Sequence, residues 1–86
     1  MKVVLVYDVH HKRVSKVMRI CRRYLIRVQN SVFEGNLTKS KLDKLKMELV
    51  KTIDFKYDKI YIYEFSSTKY VYREEIGCVL EESNFI

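Results

Sequence analysis

An α+β sandwich of four strands and two helices, in the order β-α-β-β-α-β, is the fold class predicted for this chain of 86 residues. Three observations carry it. Short runs rich in apolar and β-branched residues recur at strand length, and two longer segments carry apolar stripes at helical spacing. The length leaves room for one domain, residues 1–86, and no second.

Lys2 to Tyr7 is a continuous apolar strand, of the kind that lies in mid-sheet with both faces covered. Val14, Val17, Met18, Cys21 and Leu25 follow at i, i+3, i+4, i+7 and i+11, one stripe of a helix. Val28 to Phe33 returns as a strand with β-branched and aromatic residues, closed by Gly35. Thr38 or Ser40 can cap a second helix, with Ser40 and Asp43 at capping-box spacing. Its stripe is Leu42, Leu45, Leu49, Val50 and Ile53. In Lys59 to Phe65, Ile60 and Ile62 alternate with Tyr61 and Tyr63, a third strand. Tyr70 to Arg73 makes a short fourth, ending near Gly77. Residues 78–86 form a C-terminal tail, in which Ser83 to Ile86 is apolar enough to add a brief edge strand.

In so short a chain this order suggests a ferredoxin-like βαββαβ sandwich, the split βαβ arrangement. Both helices then cover one sheet face and leave the other open, so a sheet-to-sheet homodimer is expected.

Composition narrows the class further. Hydrophobic residues make up 48% of the chain, ample for a packed core. No apolar run approaches the roughly 18 residues of a membrane span, and Val3 to Tyr7 is too short for a signal peptide. A soluble cytoplasmic protein with no membrane partner is expected. Cys21 and Cys78 make neither a disulfide framework nor a zinc site, and both read as small hydrophobes in a reducing compartment. The net charge of +6 is unevenly placed. Residues 1–27 hold eight Lys and Arg against one acid, whereas residues 28–86 hold nine bases against ten acids. A polyanion-facing surface built from the first helix follows.

Arg13, Lys16, Arg19, Arg22 and Arg23, with Lys12 and Arg27, form that strip, and no acid interrupts it between Val9 and Gln29. A merely solvated face interleaves both signs; an arginine-dominated one suits bidentate contacts to phosphate. No aromatic residues interleave on that helix, so backbone contact without base reading is expected, to DNA or RNA. The one acid, Asp8, stands at the end of the first strand, just ahead of the basic stretch. It can cap the helix entry, or it can ligate a divalent metal. In a symmetric dimer, strand ends near the two-fold axis bring two Asp8 side chains together, and the pair can share Mg²⁺. His10 and His11 match no established ligand spacing and read as solvated surface histidines.

Tyr7-Asp8-Val9, then Lys12-Arg13, then Arg27-Val28-Gln29-Asn30-Ser31-Val32-Phe33-Glu34-Gly35, closely resemble the small CRISPR-associated endoribonuclease family. These proteins are the partners of the CRISPR integrase in spacer acquisition. The Leu-rich second helix, the tyrosine-rich third strand and Glu75-Ile76-Gly77 extend the likeness over essentially the whole chain. The resemblance implies a ferredoxin-like homodimer in which the C-terminal strand crosses to the partner's sheet. It maps a magnesium-binding, catalytic aspartate onto Asp8, with Tyr7 also catalytic and Arg27 and Phe33 near the site. It further implies metal-dependent cleavage of single-stranded RNA or double-stranded DNA, together with a non-catalytic role bridging integrase dimers. A purely structural DNA-binding adaptor and a ribonuclease toxin on the same fold are the alternatives. Many members carry further acids after the aspartate, where this chain has His10 and His11.

Overall fold

The computed structural model describes residues 1–67 and 70–78. Its elements are β1 (Lys2–Asp8), α1 (His11–Arg22), β2 (Ile26–Gln29), β3 (Val32–Asn36), α2 (Lys39–Thr52), β4 (Lys59–Ser67) and β5 (Tyr70–Gly77). The strands form one sheet in the order β2-β3-β1-β4-β5, every neighbouring pair antiparallel. The sandwich is as expected, but the segments read as strands give only one between the helices where the structure has two, β2 and β3. The strand expected at Tyr70 to Arg73 is β5, running on to Gly77 beside β4. The edge strand expected at Ser83 to Ile86, and all of the tail but Cys78, lie outside the described residues.

β1 is central, with β3 on one side and β4 on the other. Its alternation sets the layers. Val3, Leu5 and Tyr7 are buried under the helices with Val17, Cys21, Leu25, Phe33, Leu42, Leu45, Leu49, Ile60 and Ile62. Val4 and Val6 point the other way and are only half-buried, so the expectation that both faces of this strand are covered fails within one subunit. Cross-strand register gathers Val32, Tyr61, Tyr63 and Phe65 onto that same open face. Ile26, paired with Glu34, joins them at 73% exposure. An apolar sheet face of this kind is left for a second surface to cover.

The run expected as one strand, Val28 to Phe33, is two. Gln29 pairs with Val32 across a two-residue loop, Asn30–Ser31, and the register shifts between Arg27 and Gln29. Neither loop residue has a positive φ, so the turn is not of the tight primed kind that matches strand twist. The bulge at Val28 takes up the mismatch.

Two other expectations need correcting. Thr38 is the α2 cap, its Oγ1 accepting from the Lys41 N–H at 3.2 Å, so the Ser40–Asp43 box is not used. Val50, placed in the α2 core stripe, is exposed. Lys46 takes the inward position instead, forming ion pairs with Glu74 (2.5 Å) and Glu64 (3.7 Å). Burial works against its charge, but the two carboxylates outweigh that and raise its pKa.

The last described turn is set by Gly77, which has φ +99° and lies against the backbone of Asp58. A Cβ there would sit 2.0 Å from the Asp58 carbonyl oxygen. Gly77→Ala is therefore expected to destabilise the fold by about 2 kcal/mol or more, measured as a lower urea midpoint. An unchanged midpoint would show that this corner tolerates displacement.

Candidate functional site

Asp8 closes β1 and stands opposite Lys59 of β4 in register. It is exposed, and among the described residues its carboxylate has no hydrogen-bond or ion-pair partner. It does not cap the following helix. That place belongs to His10, whose Nδ1 accepts from the Lys12 N–H at 3.2 Å. Asp8 thereby has no part in capping α1.

A cleft of about 310 Å³ opens beside Asp8, walled by Tyr7, Val14, Met18, Arg27, Asn30 and Ser31. Tyr7 forms its floor, stacked on Phe33 with ring centroids 6.1 Å apart. Burial raises the Tyr7 pKa, against the opposing pull of Arg27 and Arg22, so its hydroxyl stays protonated at neutral pH. Arg27 is held at the rim by the Gln29 and Asn30 carbonyls, 3.3 and 3.2 Å from its Nε. The β2–β3 hairpin thus places a guanidinium in the same cleft as the aspartate at the end of β1.

On α1 the basic residues divide by what they touch. Lys12, Lys16, Arg19 and Arg22 are exposed, as Arg27 is beyond the helix. Arg23 pairs with Glu48 of α2, which also accepts from the Tyr24 hydroxyl. Arg13 is committed inward, where its Nε and Nη2 donate to the two oxygens of Asp58 at 2.5 and 3.0 Å. Six of the seven cations of the strip are therefore exposed, and five of these have no carboxylate partner among the described residues.

Asp58 escaped the sequence reading. It is the buried charge of the structure, at 0% exposure among the described residues. Besides Arg13 it accepts the backbone N–H of His10 and of Asp54, each at 2.8 Å. Burial alone would raise its pKa, but the Arg13 bonds and the two amides overcome this and bring it down to about 2. Asp58 ties the β1–α1 connection to the α2–β4 turn, two residues beyond Asp8. The only sequence signal is an acid one place before a strand, too common to single out.

No group of three or more His, Cys, Asp or Glu that could hold a metal lies together among the described residues. One exposed carboxylate per subunit suits Mg²⁺, which takes one or two carboxylates and fills its shell with water and phosphate oxygens. The donor set fits if two subunits bring two copies of Asp8 together.

The family model described as CRISPR associated protein Cas2 matches residues 1–73. The CRISPR-associated endoribonuclease Cas2 of Thermotoga maritima is 45% identical over 86 residues, 100% of this chain and 99% of that protein. That of Methanosarcina acetivorans is 46% identical over 77 residues, covering 90% and 88%. A crystal structure of Cas2 superposes with a TM-score of 0.75 at 40% identity, over 81% of this chain and 79% of the other. Streptococcus pyogenes Cas2 at pH 6.5 gives 0.72 at 36% identity, over 79% and 89%.

The Asp58 corner has a measurable acid limb. Its pKa is depressed from 3.8 to about 2, so its contribution is complete above pH 4 and is lost as pH falls through 2. The shift is worth about 2 kcal/mol. Urea unfolding of Asp58→Asn should therefore show lower stability at pH 7 and a shallower acid decline than wild type. Parallel pH curves for the two proteins would remove Asp58 as the source.

Proposed function

The chain belongs to the CRISPR-associated Cas2 family, and from that premise we propose that it is a homodimeric spacer-acquisition protein that binds nucleic-acid backbone and cleaves it with Mg²⁺. The carrying observation is Asp8, an exposed carboxylate without a partner among the described residues, at the end of the central strand beside Arg27. Relatives that cover nearly all of this chain are named endoribonucleases, which supports the enzymatic reading. The work is cytoplasmic in this reading, on RNA or DNA.

The open sheet face supplies the dimer. Val4, Val6, Val32, Tyr61, Tyr63 and Phe65 are covered when a second sheet packs on them. Packing about a two-fold axis near the end of β1 brings the two Asp8 carboxylates together, where like charges repel unless a cation lies between them. Mg²⁺ held there supplies charge stabilisation at phosphate and lowers the pKa of bound water. The chain's own residues do the rest. Lys12, Lys16, Arg19 and Arg22 hold the phosphate backbone. Arg27, fixed by two carbonyls, orients a phosphate against Asp8. Tyr7 and Phe33 keep the strand end rigid beneath it.

A second role bridges integrase dimers on incoming DNA. What favours it is the placement of Lys12, Lys16 and Arg19 on the solvent face of α1, in the helical layer rather than on the sheet face that Asp8 borders. Backbone binding there does not require the aspartate. Residues 78–86 are the expected element shared with the partner subunit or with the integrase.

Three outcomes follow. Asp8→Ala should lower Mg²⁺-dependent cleavage by about a hundred-fold or more while supporting spacer integration with the cognate integrase; undiminished cleavage removes Asp8 from the chemistry. Arg19→Ala with Arg22→Ala should weaken duplex binding and shrink the log–log salt slope by about 2; an unchanged slope places the phosphates elsewhere. Val6→Glu should yield monomers in sedimentation equilibrium; a dimer that persists rules out sheet-to-sheet packing.

A further inference from the structure

Phe55, Lys56 and Tyr57 stand exposed at the tip of the α2–β4 turn, Tyr57 at 63%. The turn is not loose. Tyr57 and Asp58 N–H donate to the Asp54 carbonyl at 3.0 and 2.8 Å, and Lys56 N–H to Asp54 Oδ1 at 2.9 Å. Asp58 then anchors the turn to Arg13 and to the backbone of His10. Side chains some 45 residues apart in sequence are thereby brought to one cleft of about 310 Å³, lined by His10, Lys12, Arg13, Asp54 and Tyr57.

His10, Lys12 and Tyr57 line that cleft, and His11 and Lys56 stand beside them, next in the chain to His10 and Tyr57. The Lys56 Nζ lies 5.9 Å from the Tyr57 ring centroid. His10 and His11 rings lie 4.3 Å apart, tilted by 32°. Lys12 and Lys56 carry positive charge, Arg13 is neutralised by Asp58, and the single opposing carboxylate in the cleft, Asp54, is engaged by the Lys56 amide.

We propose that this corner is a stacking seat for single-stranded nucleic acid, with an unpaired base on Tyr57 and the His10–His11 pair and its flanking phosphates on Lys12 and Lys56. A duplex keeps its base faces inside its own stack, whereas an unpaired strand offers them to aromatic side chains. The seat adjoins the β1–α1 connection and lies two residues from Asp8, so a strand held there is delivered to the strand end. This inference rests on the nucleic-acid reading above and adds to it the place where an unpaired base is held.

Binding without Mg²⁺ tests it separately from cleavage. An oligouridine and a mixed-sequence duplex of equal length are titrated by fluorescence anisotropy against wild type, Tyr57→Ala and Tyr57→Phe. Tyr57 is mostly in solvent, so both variants should fold. Expected is about a ten-fold loss of oligouridine affinity in Tyr57→Ala, duplex affinity unchanged, and recovery in Tyr57→Phe. Wild-type oligouridine affinity in Tyr57→Ala, or an equal loss on both ligands, overturns the seat. A wild type that binds duplex alone defeats this inference and leaves the general reading standing; one that binds neither ligand defeats both.

Discussion

A carboxylate withdrawn from water costs several kcal/mol unless it is paired and its remaining lone pairs are satisfied. Asp58 meets that condition with four donors: two from Arg13, one from His10 and one from Asp54. Each donor belongs to a different requirement of the fold. Arg13 fixes the first turn of α1, His10 fixes the connection from β1, and Asp54 closes the turn from α2. Gly77 completes the corner, because only a residue without a Cβ can lie against the Asp58 carbonyl at its φ. The buried charge contributes position more than stability. An apolar residue of similar size would leave the ends of β1, α1, α2 and β5 without a common reference point.

From that corner the molecule divides into two faces with opposite chemistry. β1 sends Val3, Leu5 and Tyr7 under the helices and Val4 and Val6 to the open side, a consequence of the two-residue period alone. The open side is apolar along its middle, with Lys2, Glu34, Arg73 and Glu75 around it and Asp8 beside Lys59 at one end. The helical side carries the arginines, held outward because the α1 stripe of Val17 and Cys21 is inward. One side is thus suited to another protein surface and the other to a polyanion. The β2–β3 hairpin places Arg27, nineteen positions along the chain, in the cleft that Asp8 also lines.

Periodicity made the helices, β1 and β4 legible, and with them the basic strip and the exposed aspartate. It failed where two strands abut. Ile26–Gln29 and Val32–Asn36 are separated by only Asn30 and Ser31, and with no glycine at the turn the β-branched residues on either side read as one strand. Val50 looked like core because it continues a leucine stripe, but Lys46 is the residue drawn inward, by Glu64 and Glu74 on strands that no local pattern could place beneath it. Asp58 was invisible for the same reason: its partners lie 45 and 48 residues away in sequence. The resemblance to a known family supplied the meaning of Asp8, which spacing alone left divided between a helix cap and a ligand. The structure narrows that choice by giving the cap to His10.

The capping role of His10 has a further consequence for how charge is arranged around Asp8. A carboxylate at the helix cap would have accepted the first amides of α1 and been spent locally. With an imidazole nitrogen there instead, and Asp58 accepting the His10 amide from beneath, the start of α1 is satisfied by groups other than Asp8. Asp8 keeps its full acceptor capacity, with Arg27 on one side of the connection and Lys12 on the other. Among the described residues no hydrogen bond or ion pair neutralises this carboxylate, which is the state the proposed metal role requires. His10 therefore does more than occupy the helix start: by taking the cap it leaves the Asp8 carboxylate uncommitted there.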